Sequence, residues 1–270
     1  MEEIRAKKQK NEILLFRGHA KTEYELKPSL FRKGNERIRE MEAEAIRKIE
    51  IAHPKELGGM SAFDKLAMLQ HYEFPTRLLD FSLNPLVSLF FAANSHEEDN
   101  GVVIICKVPK DDMKQFDDSL VQDISELATL RNKKKINEES CGTFEKDYTQ
   151  HQEITAQKVE NDEYNEGKTK SNTQSDNKGI ISKKTNIELP VFVEPKLLNS
   201  RISAQKGAFL LFGLSDEFPE SIKRKEIIIP AVHKKQIISE LEQFGIDDSI
   251  MFPSFEHFLL YLREKIKRGE

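Results

Sequence analysis

The chain has 270 residues, with 42 Lys and Arg against 46 Asp and Glu for a net charge of -4, and it is 38% hydrophobic and 33% charged. That balance argues against a generic polyanion binder held by phosphate attraction, and it implies a stretch that adds charge without adding core. Cys106 and Cys141 lack CxxC spacing, so neither a disulfide framework nor a zinc site is expected; with no signal-like or membrane-length apolar run, the chain reads as soluble and cytoplasmic with no membrane partner.

In chain order, Ile13, Leu14, Leu15 and Phe16 form a short apolar run, read as a buried strand that brings Arg17 to its end beside Gly18. Over 36–51, Ile38, Met41, Ala45, Ile46 and Ile49 recur at helical spacing, giving one surface helix closed by His53 and Pro54. Ser61 with Asp64 three residues on has the form of a capping box, for a helix through Phe63, Leu66, Ala67 and Leu69 that must stop before Pro75. A turn carrying Thr76 and Arg77 follows. Asn84 before Pro85 starts a helix whose residues 86–93 are apolar nearly all round, hence buried. The run 101–106 is continuous and apolar, as in a central strand covered on both faces.

Residues 137–186 are Lys, Glu, Asn, Thr, Gln and Ser with scarcely any aliphatic clustering. Such a stretch buries too little apolar surface to offset its ordering entropy, so it reads as a flexible polar insertion, or else as a long hairpin polar on both faces. A strand is expected at 189–193, a short helix at 197–202, and strands at 208–212 and 226–229. Two C-terminal helices follow, 234–244 stopped by Gly245 and 255–267 begun by Ser254. The irregular interleaving of strands and helices predicts a single α+β domain over 1–270.

Three constellations could carry chemistry. Arg17, with Phe16, Gly18 and His19, offers a planar fork able to grip a phosphate or carboxylate, or to form a structural ion pair. Gln70, His71 and Tyr72, then Pro75, Thr76, Arg77 and Asp80, gather donors, acceptors and rings around a proline-bent connector, or else pair among themselves. Gln205, just before Lys206 and Gly207, presents an amide to a hydroxyl or base edge, or serves ordinary turn chemistry. No histidine shows HxxxH or His/Cys spacing, so no metal site is expected.

In this order the three constellations resemble the FRG-domain family: Phe16-Arg17-Gly18, then Gln70 to Asp80 with Asn84-Pro85, then Arg201-Ile202 with Gln205 to Phe209, and Met251-Phe252-Pro253 near the end. Departures are Glu73 where a small residue such as glycine is expected, Phe81 where tryptophan is frequent, and the polar insertion. The resemblance implies a bent mixed β-sheet flanked by helices, in an arrangement similar to ADP-ribosyltransferase and RES-type folds. It further implies an NAD-consuming enzyme of the bacterial toxin or antiphage-effector kind, or a noncatalytic domain that recognises a nucleotide or partner. On the enzymatic reading NAD is the substrate and the acceptor is an unnamed protein, nucleic acid or metabolite. Arg17, Gly18, His19, Tyr72, Thr76 and Arg77 would then hold the dinucleotide, with Gln205 and Asp80 catalytic at the nicotinamide ribose.

Overall fold

The computed structural model describes residues 11–130, 187–197 and 200–268, so the reading of 137–186 lies outside the described residues. The first strand, β1 (Glu12–His19), is followed by a 3-10 turn at Ser29–Phe31 and by helices α1 (Glu36–Glu40), α2 (Glu42–Ala52), α3 (Pro54–Leu57) and α4 (Ala62–His71). Then come β2 (Leu78–Ser82), α5 (Pro85–Ala93), β3 (Gly101–Pro109), β4 (Met113–Gln115) and α6 (Ser119–Glu126). Beyond residue 186 stand β5 (Val191–Glu194), α7 (Ser200–Gln205), β6 (Gly207–Leu211), β7 (Lys223–Ile229), α8 (Lys234–Gln243), α9 (Asp248–Met251) and α10 (Phe255–Arg268).

The fold is α+β, on one seven-stranded sheet ordered β4-β5-β6-β2-β1-β3-β7. The sheet is mixed, because β4 and β5 run parallel while the other neighbours are antiparallel. Successive side chains along a strand point to opposite faces. On one face Leu78, Val193, Phe209 and Leu211 pack with Phe63, Leu66 and Leu69 of α4, Ile124 of α6 and Ile202 of α7. On the same face, Val103 and Ile229 pack with Ala92 of α5, which also joins α8 through Phe90 and Leu241. The other face buries Leu15, Leu79, Phe81, Ile104, Cys106 and Phe212 under Leu26, Phe31 and Phe218. Each such large apolar side chain contributes about 1.5–3 kcal/mol when fully buried.

Two helical groups therefore sit on one face, α4, α6 and α7 over β2, β6 and β5, and α5 with α8 over β1, β3 and β7. The seat of α5 depends on Gly18. A Cβ there would lie 1.9 Å from the Ser88 carbonyl oxygen, a separation that no adjustment of a side chain can relieve. The close approach that Gly18 permits is thus that of the α5 backbone.

The helix expected over 36–51 is two helices, divided at Met41, whose φ of -104° and ψ of 15° leave helical geometry. The break turns Glu42 inward, where it is buried. Ser61 caps α4 by accepting from the Asp64 N–H at 3.1 Å, but Asp64 does not reciprocate, since its carboxylate pairs with Lys196 at 3.1 Å. Asn84 Oδ1 accepts from the Leu86 N–H at 3.1 Å and caps α5, with Pro85 in its first turn. Asn84→Ala is expected to lower stability by about 1 kcal/mol, the scale of a lost N-cap. Urea denaturation reads it directly, and an unchanged midpoint would remove the cap from the stability of α5.

Candidate functional site

Between the two helical groups, where β1 meets β2, a cleft of about 130 Å³ opens. It forms there because β1 and β2 share one register pair, Phe16 with Ser82, while β1 stays paired with β3 along its whole length. Phe16, Arg17 and Gly18 line the cleft from β1, Asp80, Phe81 and Ser82 from β2, Val87, Ser88 and Phe91 from α5, and Arg201 and Gln205 from α7. Of the residues singled out in the sequence, Arg17, Gly18, Asp80 and Gln205 are thus brought together.

Arg17 lies within β1 rather than at its end, because the strand runs on to His19. Its side chain is 14% exposed and reaches across the opening: Nη1 donates to the Asp80 carbonyl at 2.6 Å and stands 3.9 Å from Asp80 Oδ2. Nε donates to His19 Nε2 at 2.8 Å. Burial pushes the Arg17 guanidinium down to about 10 despite the opposing pull of Asp80, so it remains a cation at neutral pH. His19 is buried behind it, and burial, with the Arg17 charge second, pushes the imidazole down to about 3. A neutral ring is the form that can accept the Arg17 hydrogen bond, so His19 positions Arg17 and does not line the cleft.

Asp80 keeps its carboxylate 53% exposed. Its orientation is set by Gln70, a residue that sequence reasoning quoted without giving it a role. Gln70 Nε2 donates to Asp80 Oδ2 at 3.0 Å, and Gln70 Oε1 accepts from Thr76 Oγ1 at 2.6 Å. Thr76 is buried, and its hydroxyl also accepts from the Leu78 N–H at 3.2 Å. Thr76 therefore acts two hydrogen bonds away from the cleft, as a support for Asp80.

Arg77 is elsewhere altogether. Its Nε and Nη2 donate to the two carboxylate oxygens of Glu42 at 3.0 and 2.7 Å, and Nη1 donates to the carbonyls of Phe212 and Gly213 at 3.1 and 2.8 Å. Buried and so committed, it forms an internal ion pair under the sheet, which corrects the expectation of a dinucleotide clamp at this position. Tyr72 also falls outside the cleft lining; it is 69% exposed at the end of α4, with its ring edge-on to His71. No stacking surface in the cleft comes from it.

Gln205 is held from two sides. Its Nε2 donates to the Met251 carbonyl at 2.9 Å, and its own carbonyl accepts from Ser82 Oγ at 2.6 Å. That fixes the amide with its donor end turned to α9. Arg201 stands one helical turn earlier on the same side of α7, and neither it nor Ser88 was assigned a role from the sequence. The signal for Arg201 was available in its spacing of four from Gln205. Chemically the cleft joins two arginines, an oriented carboxylate and a fixed amide on a wall made partly of phenylalanine. Such a set holds an anionic group beside a polar one and offers negative charge to a developing cation.

Residues 12–101 match the family model of the FRG domain. That stretch contains Arg17 and Asp80 but ends before Arg201 and Gln205. No curated protein and no solved structure matches the chain.

Proposed function

We propose that this chain, whose residues 12–101 match the family model of the FRG domain, binds NAD by its nicotinamide end and splits the bond between nicotinamide and ribose. The observation that carries this reading is the convergence of Asp80 with Arg17, Gln205 and Arg201 on one cleft. At about 130 Å³ the cleft encloses one ring or one phosphate rather than a whole dinucleotide, so the remainder of the ligand would lie along the surface. As the glycosidic bond breaks, nicotinamide leaves with the bonding electron pair and C1′ of the ribose gains oxocarbenium character. The Asp80 carboxylate, oriented by Gln70, stabilises that charge; Gln205 Oε1 accepts from a ribose hydroxyl; the cationic side of the cleft faces the phosphates. Water or a nucleophile on the acceptor then adds to C1′ and loses its proton to solvent.

Asp80→Asn keeps the shape and removes the charge, so nicotinamide release should fall by about 100-fold or more while NAD affinity changes little. Release is followed by chromatography and affinity by calorimetry. Undiminished release by the Asn variant would sink the catalytic role of Asp80. Tight NAD binding by the parent with no release at all would select a noncatalytic recognition domain at the same cleft.

A further inference from the structure

We propose that Arg201 is the residue of this cleft that binds the ligand's anionic group, and that this group is a phosphate ester of a nucleotide. The inference rests on the reading of the cleft as the ligand site.

Three arginines lie in or near the conspicuous motifs, and their donors are distributed unequally. Arg77 is fully engaged with Glu42 and two carbonyls. Arg17 has Nε on His19 and Nη1 on the Asp80 carbonyl, with Asp80 already beside it as counter-charge. Arg201 makes no hydrogen bond and no ion pair among the described residues. Its guanidinium rests over the Phe252 ring, 5.1 Å from the centroid, and lines the cleft. A cation–π contact of this kind is weak at a partly exposed site and leaves the N–H donors in the plane of the guanidinium free. A half-buried cation held by a ring, with no ion pair among the described residues, can offer two parallel N–H donors to two oxygens of a phosphate at little cost.

The surroundings favour an incoming anion. Burial, and after it the Arg201 charge, lower the pKa of His71, which favours its neutral form and so opposes a second cation near Arg201. Asp80, the carboxylate lining the cleft, is held by Gln70 and balanced by Arg17 rather than by Arg201. The location of Arg201 is fixed by the fold: Ile202 is buried in the core beneath α7, and Gln205, on the same face, is tied to Met251, the neighbour of Phe252. A phosphate on Arg201 would therefore lie within one helical turn of the Gln205 amide, the spacing between a 5′-phosphate and the hydroxyls of its own ribose.

The test compares the parent with Arg201→Gln and Arg201→Lys by calorimetry, using AMP, ADP-ribose and nicotinamide riboside as probes and melting curves to verify folding. Arg201→Gln should weaken AMP and ADP-ribose by about tenfold or more, and leave the phosphate-free riboside within about twofold. Arg201→Lys keeps a cation over Phe252 but loses the fork, so it should fold normally and still bind the phosphates more weakly than the parent. Equal affinity of parent and Gln variant for AMP overturns the proposal, as does an equal loss for the riboside, or a parent that binds none of the phosphates. These outcomes are independent of turnover. Arg201-dependent AMP binding in a protein that releases no nicotinamide would keep the anion site and remove NAD cleavage; nicotinamide release with phosphate binding indifferent to Arg201 would do the reverse.

Discussion

Glu42→Ala is expected to lower stability by about 3–5 kcal/mol, because it leaves the Arg77 guanidinium buried with its charge unpaired. Glu42 and Arg77 are both almost wholly enclosed, and their double hydrogen bond joins the start of α2 to the entry of β2. For a domain of this size the loss corresponds to a fall in melting temperature of roughly 10 °C. The double variant Glu42→Met with Arg77→Met should recover part of that loss, since two apolar side chains of similar volume remove both charges together. A single variant that melts with the parent would show that water or a rearranged partner reaches Arg77. Because the pair lies outside the cleft, the nucleotide binding proposed for the cleft should be unchanged per folded molecule, and calorimetry on the surviving folded fraction checks it.

Lys234→Met should cost about 3 kcal/mol, by a different route. The Lys234 side chain is completely enclosed, and its ammonium donates to the carbonyls of Ala20, Ser95 and His96 at 2.7, 2.9 and 2.9 Å. Removing it strands three carbonyl oxygens, each costing about 1–3 kcal/mol when left unsatisfied, less whatever entering water restores. Two of those carbonyls belong to the turn after α5, where His96 has a φ of 52°, a left-handed conformation disfavoured for a residue with a Cβ. The lysine thus ties the end of α5 to the end of β1 and offsets strain in between. A thermal melt with a shift of only a degree or two would mean that the turn relaxes freely without it.

The sequence was most informative where a residue's function is local. Asn84 and Ser61 announce helix starts because each caps a backbone N–H two or three residues on, and both caps form. The expectation of a small residue such as glycine at position 73 meets a local cause as well: Glu73 adopts a φ of 61°, which favours a residue without a Cβ. Phe81, where tryptophan was anticipated, is buried against Phe192 with ring centroids 5.5 Å apart. Arginine roles were not legible, because each is decided by a partner remote in sequence: Glu42 for Arg77, the Asp80 carbonyl for Arg17, Phe252 for Arg201. A pattern read from 101 onward also overlooked α6 and β4. The helix had a readable start, since Asp118 accepts from the Leu120 N–H at 2.9 Å and Val121 and Ile124 follow on its buried face. The strand has three residues, too few for a period of two to be distinguished from chance.

The cleft gathers its walls from the two ends of the chain: Arg17 and Asp80 come from the first third, Arg201 and Gln205 from beyond position 200, and the carbonyl that fixes Gln205 from Met251. A polypeptide emerging from the ribosome in sequence order has the first pair long before the second. The site is not fixed until the segment through Met251 has emerged, so a translation product interrupted after β7 would carry the whole sheet and every residue lining the cleft but not the carbonyl that holds Gln205.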